Sequence, residues 1–211
     1  MAENTDLWQI ERDLTEQGIG IICGCDEAGA GPLAGPVYAA AVILPPYYRI
    51  EGLNDSKKLT EKKREALYEV ITQKAVCWVV ARVEAAEIDA TDILSARMKA
   101  MQQAMDALTI QPEIALIDGN RDKGRSAAIT TPHKLVVGGD GKSASIAAAS
   151  ILAKVSRDRF VAGELDERYP QYQFAKHKGY ATKLHYEMLD KFGPCPEHRR
   201  SFLKKWEEKR I

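Results

Sequence analysis

The chain has 211 residues, enough to bury a sizeable core as one domain or as one domain with a small appendage. With 45% apolar and 28% charged residues it is globular in make-up, which excludes a disordered or low-complexity protein. Thirty Asp plus Glu balance thirty Lys plus Arg, so net charge excludes no partner. No apolar run reaches the roughly 18 residues of a membrane span, the start lacks a signal-peptide pattern, and a cytoplasmic protein is expected.

Residues 5–17 read as an amphipathic helix, with Thr5 as N-cap, a stripe of Leu7, Trp8, Ile10 and Leu14, and Gly18 as the stop. Residues 19–31 (IGIICGCDEAGAG) begin as a buried strand and end in two adjacent carboxylates, Asp26 and Glu27, followed by Gly29, Gly31 and Pro32. Neighbouring side chains on a regular strand point to opposite faces, so the two acids share a site only if the chain bends. The glycines permit such a bend. A plain exposed turn, with both acids in water, is the alternative.

Residues 37–44 form a second strand, and the short link makes it an antiparallel neighbour of the first. A polar loop at 54–58 leads to Thr60, which caps a helix through residue 75. Residues 76–83 are a third strand, and 84–89 a short turn or helix. Residues 92–109 are a helix whose Met98, Met101 and Met105 lie at core spacing. Residues 114–118 are a fourth strand that again ends in an acid, Asp118, and 133–137 a fifth that runs into Gly-Gly-Asp140-Gly. A long helix spans 145–162, Thr182 caps another ending near Gly193, and the tail from Glu197 is helical. Cys23, Cys25, Cys77 and Cys195 have no zinc-like partner spacing and read as core thiols.

This order predicts an α/β fold, a mixed sheet covered by helices, in which strand ends pool acids from distant parts of the chain. Asp26, Glu27, Asp118 and Asp140 make an all-oxygen donor set, which selects magnesium or manganese over zinc. Such ions assist in-line attack on phosphorus, so phosphodiester hydrolysis is the expected chemistry. Each Asp-Gly pair is also an ordinary turn signal, and the repetition of strand then acid is what favours a site. Three basic clusters could face a polynucleotide: Lys57, Lys58, Lys62, Lys63 and Arg64; Lys176, His177 and Lys178 with Tyr180; and His198, Arg199 and Arg200 with Lys204 and Lys205. Solvated charged faces are the plain alternative for each.

Five blocks then carry a resemblance: CDEAGAGPLAGPV at 25–37, NDSKKL at 54–59, LIDGN at 116–120, GDGKSASIAAASILAKV at 139–155 and HKGYAT at 177–182. In order and spacing they are similar to type 2 ribonuclease H, the bacterial ribonuclease HII branch, from about residue 19 to 203. The resemblance implies a ribonuclease H-like mixed five-stranded sheet flanked by helices (1–162) and a C-terminal helical extension (163–211) that helps to bind substrate. It implies an endonuclease that cuts the RNA strand of RNA–DNA hybrids and nicks duplex DNA 5′ to an embedded ribonucleotide, using two magnesium or manganese ions. Asp26, Glu27, Asp118 and Asp140 would be the metal-binding and catalytic acids. Gly29, Ala30, Gly31, Lys57, Lys58 and Tyr180 would contact substrate, with loop backbone reading the 2′-hydroxyl. A monomer is implied, with a sliding clamp or polymerase as further partner.

Two positions depart from the pattern: Ala30 stands where the family has arginine, and Gly138 where it has lysine. Each removes a cation beside the site, which implies a weakened or less selective enzyme. A nucleic-acid-binding protein with reduced or lost nuclease activity is the alternative. A phosphotransferase is a third reading, opposed by the lack of a GxxxxGK[ST] phosphate loop.

Overall fold

The computed structural model describes residues 6–54, 56 and 59–208. Its sheet has five strands, β1 (Ile22–Ala28), β2 (Val37–Ile43), β3 (Cys77–Val83), β4 (Ile114–Asp118) and β5 (His133–Val136), in the order β3-β2-β1-β4-β5. β1–β2 and β2–β3 are antiparallel, while β1–β4 and β4–β5 are parallel. The mixed α/β sheet and the antiparallel β1–β2 pair are those expected from the sequence.

Each face of the sheet buries a different set of side chains. Odd-numbered residues of β1 and β2 (Cys23, Cys25, Ala39, Ala41) pack with Ala115 and Ile117 on Met98, Met101 and Met105 of α4 (Ile93–Asp106). Even-numbered ones (Ala40, Val42) meet Ala147, Ala148, Ile151 and Leu152 of α5 (Ala144–Phe160), over which α2 (Glu61–Lys74) lays Leu67 and Ile71. β2 is therefore buried along its whole length. Complete burial of a Met, Leu or Ile side chain is worth roughly 1.5–3 kcal/mol. The contact of α5 with β1 is close enough to require glycine. A Cβ on Gly24 would lie 2.0 Å from the Ser145 carbonyl carbon.

Helix ends follow sequence chemistry. Thr60, Asp92, Ser143 and Thr182 accept the main-chain N–H groups of Lys63, Ser95, Ile146 and His185. α1 is Gln9–Glu16, shorter than the sequence suggests, and Thr5 lies outside the described residues. The 84–89 segment is a helix, α3 (Ala85–Ala90), and its Asp89 carboxylate caps the last helix, α9 (Arg200–Glu208), by accepting the N–H groups of Arg200 and Ser201. α5 does not stop near 162. It runs on through a π-helical stretch, Val161–Leu165, into α6 (Asp166–Arg168). α7 (Phe174–His177) and α8 (Lys183–Phe192) then pack a smaller core of Tyr172, Phe174, Val161 and Leu165 against Ala34 and Tyr38. Among the described residues no helix is long and apolar enough to cross a membrane.

Candidate active site

β1 and β4 run in parallel with Cys25 opposite Ile117, so Asp26 and Asp118 come next, side by side. Neighbouring strands lie about 4.8 Å apart, and both acids fall on the face that carries α5. Asp118 Oδ1 accepts the N–H of Gly139 at 2.6 Å, which draws the short 3-10 turn Gly139–Gly141, with the buried Asp140, onto the same sheet end. Glu27 departs from the expectation of a bend between the acids. The strand runs on to Ala28, so Glu27 faces the opposite side, where its Oε1 pairs with Arg97 Nη2 of α4 at 2.6 Å. The bend comes two residues later, at Gly29 (φ +92°).

The acids feel one another. Burial, first of all, holds the Asp26 carboxyl well above its ordinary range, and the charges of Glu27, Asp118 and Asp140 add to this. Burial also raises Glu27; the Arg97 guanidinium opposes the shift and Asp118 adds to it. A pocket of 230 Å³ opens here, lined by Asp26, Glu27, Gly29, Ala30, Asp118 and Tyr180, with Ser56, Arg64, Ser150 and Lys154. A larger hollow of 670 Å³ beside Trp8, Tyr47 and Leu53 shares none of these residues and gathers no acid cluster. Chemistry picks the smaller one.

Two buried arginines shape the rim. Arg199 donates to the carbonyls of Gly29, Ala30 and Gly35, and Arg157 to those of Ala34, Pro36 and Lys178. With these carbonyls turned inward, the loop after β1 is fixed from below. Gly29 is required twice over, for its positive φ and because a Cβ would lie 2.1 Å from Arg157 Nε. The Tyr180 ring stands at the opposite lip, 39% exposed, with Lys154 Nζ 5.3 Å and Arg157 Cζ 5.6 Å from its centroid.

A sequence profile described as "Ribonuclease HII" matches residues 23–207. The chain belongs to the ribonuclease HII family. Ribonuclease HII from Idiomarina loihiensis is 56% identical over 182 residues, covering 86% of this chain and 95% of that protein. The crystal structure of ribonuclease H2 from Pyrococcus horikoshii has a TM-score of 0.72 at 26% identity, over 90% of this chain and 98% of that one. Ribonuclease HII of Archaeoglobus fulgidus, solved as a complex with PCNA, has a TM-score of 0.68 at 25% identity, over 89% and 94% of the two chains. Members of the ribonuclease HII family are ribonuclease H endonucleases that act on RNA–DNA substrates with a divalent metal.

The donor set suits such a metal. Its oxygens come from carboxylates, Glu27 Oε2 is buried with no hydrogen-bond partner, and a cation would relieve the repulsion that raises Asp26. Among the described residues no group of three or more His, Cys, Asp or Glu side chains is set to hold a metal ion, and Glu27 is paired with Arg97 on the other face.

Of the other sequence-derived site residues, Gly31 is exposed on the rim, while Lys57 and Lys58 lie outside the described residues. The third basic cluster is corrected. His198 and Arg199 are buried scaffold, while Lys204, Lys205 and Arg200, which pairs with Glu207, stay exposed. His177 is buried likewise. Arg157 of α5, whose charge alone does not mark it as core, is completely buried. Its register held the signal, since it shares a stripe with Ile146, Ala153 and Phe160. Arg97 was missed, hidden within the methionine-rich helix. Gly138 adopts φ +64° and ψ +39°, a left-handed turn that suits glycine better than lysine.

Proposed function

We propose that this chain is a cytoplasmic nuclease that nicks duplex DNA on the 5′ side of an embedded ribonucleotide and cleaves the RNA strand of RNA–DNA hybrids. What carries this reading is the pooling of Asp26, Glu27, Asp118 and Asp140 at one sheet end, beside a glycine loop and an exposed tyrosine.

Asp26, Glu27, Asp118 and Asp140 would hold two magnesium or manganese ions. When bound, such ions supply positive charge against the phosphate and its attacking and departing oxygens. A water oxygen attacks phosphorus, the P–O3′ bond breaks, and the products are a 3′-hydroxyl and a 5′-phosphate on the ribonucleotide. The residues of the chain do the selecting. Arg199 turns the carbonyls of Gly29 and Ala30 inward and Arg157 holds those of Ala34 and Pro36 behind them, which favours contact of the Gly29, Ala30 and Gly31 amides with a 2′-hydroxyl that both donates and accepts. Tyr180 stacks on the neighbouring sugar, and Lys57, Lys58 and Lys154 neutralise phosphates. Residues 163–211 act as the substrate-binding extension of the catalytic part formed by 1–162. The similarity to the clamp-bound archaeal enzyme supports a sliding clamp as a further partner of a monomeric chain.

The test is a DNA duplex with one ribonucleotide, incubated with manganese. One cut, leaving a 5′-phosphate on the ribonucleotide, is expected. Cutting of the all-DNA duplex at equal rate, or ATP turnover without nucleic acid, would overturn the reading.

A further inference from the structure

Beneath the Tyr180 loop lies a buried group of three histidines and one cysteine with no place in the chemistry above. Its hydrogen bonds admit one arrangement of protons. The Cys195 main-chain N–H points at His198 Nδ1, 3.0 Å away, so that nitrogen accepts. The Cys195 thiol lies 3.1 Å from the same nitrogen and, buried and pushed up to about 11, keeps its proton, so it too can only donate there. Neutral His198 therefore carries its proton on Nε2. That atom is 2.9 Å from His185 Nε2, which must be bare to accept it. The His185 proton is then on Nδ1, 2.9 Å from the carbonyl oxygen of Tyr180, which can only accept. His177 is fixed the same way: Gly179 N–H donates to its Nδ1 at 3.2 Å, and its Nε2 donates to Tyr172 O at 2.9 Å.

We propose that His185 and His198 form a neutral, single-tautomer pair that holds the main chain of Tyr180, and so act as positioning residues for the ring that stacks on the sugar beside the ribonucleotide. This rests on the reading of Tyr180 as a substrate contact. A chain of donors runs from the Cys195 amide through both imidazoles to the Tyr180 carbonyl, linking the segment before α9 to the lip of the pocket. Every ring nitrogen of the pair is committed as donor or acceptor, so an added proton would set two N–H groups face to face.

The surroundings keep the pair neutral. His185 is fully buried and His198 nearly so, Phe174 lies against both rings, Tyr172 against His198, and His177 stacks on His185 at 4.3 Å. Of the charged groups that bear on them, Arg200 opposes a proton on His198, while Asp166 bears on His177. Burial accordingly takes His185 down to about 4 and His198 to about 3. The other side of the loop is equally held, since Tyr180 N–H donates to His177 O and Arg157 grips Lys178 O.

The tautomers are read directly by long-range proton–nitrogen NMR of the full chain at pH 7.5, which has four histidines to resolve. The expected pattern is His185 protonated on Nδ1, and His198 and His177 on Nε2. His185 protonated on Nε2 overturns the pair. This readout needs no variant, so it stands even where a substitution fails to fold.

Kinetics on the single-ribonucleotide duplex then test the positioning role, with melting curves to establish that each variant is folded. His185→Leu should raise KM roughly tenfold, the loss of about one hydrogen bond, with a smaller change in kcat. His185→Asn, whose amide N–H replaces Nδ1–H, should recover most of this. In a Tyr180→Ala background, His185→Leu should add nothing. A raised KM for Tyr180→Ala beside an unchanged KM for His185→Leu overturns the positioning role alone. An unchanged KM for Tyr180→Ala overturns the substrate reading of Tyr180 and the positioning role with it, while the tautomers are judged separately by NMR.

Discussion

Arg199 Nη2 donates to the carbonyl oxygen of Gly29 at 2.8 Å, joining the C-terminal part of the chain to the loop that follows Asp26 and Glu27. Arg199 is wholly buried, and the partners of its guanidinium are main-chain carbonyls: Gly29, Ala30 and Gly35. Removing it would strand these groups out of water. Arg199→Met should therefore lower stability by about 3–5 kcal/mol in urea unfolding. Arg199→Lys should recover only part, since an ammonium cannot span the same carbonyls. A loss under about 1 kcal/mol for Arg199→Met would contradict this role.

The Glu27–Arg97 pair sets a second expectation. Arg97 occupies one oxygen of the carboxylate that the proposed function assigns to the metal, while Glu27 Oε2 and Arg97 Nε are buried without hydrogen-bond partners. Arg97→Gln removes the competing cation. Manganese affinity, followed by electron paramagnetic resonance, should rise roughly tenfold to a hundredfold, the worth of one charge-assisted bond. The metal-free variant should also melt lower, because Glu27 is left buried and uncompensated. Unchanged affinity would mean that Arg97 does not compete for the ligand.

Restoring the missing guanidinium at the rim is the third. Ala30→Arg places a forked cation beside the pocket proposed to take a phosphate backbone. It should raise kcat/KM on the single-ribonucleotide duplex by about tenfold to a hundredfold. No gain would make the loop side chain irrelevant here. Gly138→Lys is a poorer restoration, since its left-handed turn would cost about 1–2 kcal/mol for any residue with a Cβ.

The buried histidines give a pH dependence. His185 and His198 sit at about 4 and about 3, below the ordinary value near 6.5. Between these values the unfolded chain binds protons that the folded one refuses. Their effect on stability is therefore absent above pH 6.5 and becomes a loss as pH falls toward 4, by up to about 1.4 kcal/mol per unit per histidine. Urea midpoints from pH 7.5 to 4.5 should fall, and His198→Gln should flatten the slope. A parallel fall in both proteins would place the titration elsewhere.

Much of the fold was legible because the strands carry local signatures. β1, β2 and β4 are runs of β-branched and small apolar residues, and the Thr60 and Thr182 caps announce their helices. Asp26 and Asp118 could be paired from strand-then-acid order alone. What stayed hidden depends on partners distant in sequence. Whether Arg157 and Arg199 face water or a cage of carbonyls is decided by a loop more than a hundred residues away. Likewise His177 and His198 read as part of basic surfaces, although tertiary packing buries them. Local charge patterns say nothing about such burial. The opposite facing of Asp26 and Glu27 was half legible: alternation predicts it, and the glycines that follow seemed to offer a bend that comes only after Ala28.

Asp118 lies beside Asp26 and ties Asp140 to the sheet end, so its carboxylate is the test of the whole arrangement. Asp118→Asn keeps the shape and removes the charge. The measurement is nicking of the single-ribonucleotide duplex by the native chain and this variant across a manganese titration, with manganese binding followed in parallel. The account predicts a metal-dependent nick by the native chain, and in the folded variant a loss of both nicking and tight manganese binding. Full activity in Asp118→Asn, or nicking by the native chain with all divalent metal removed, would contradict it.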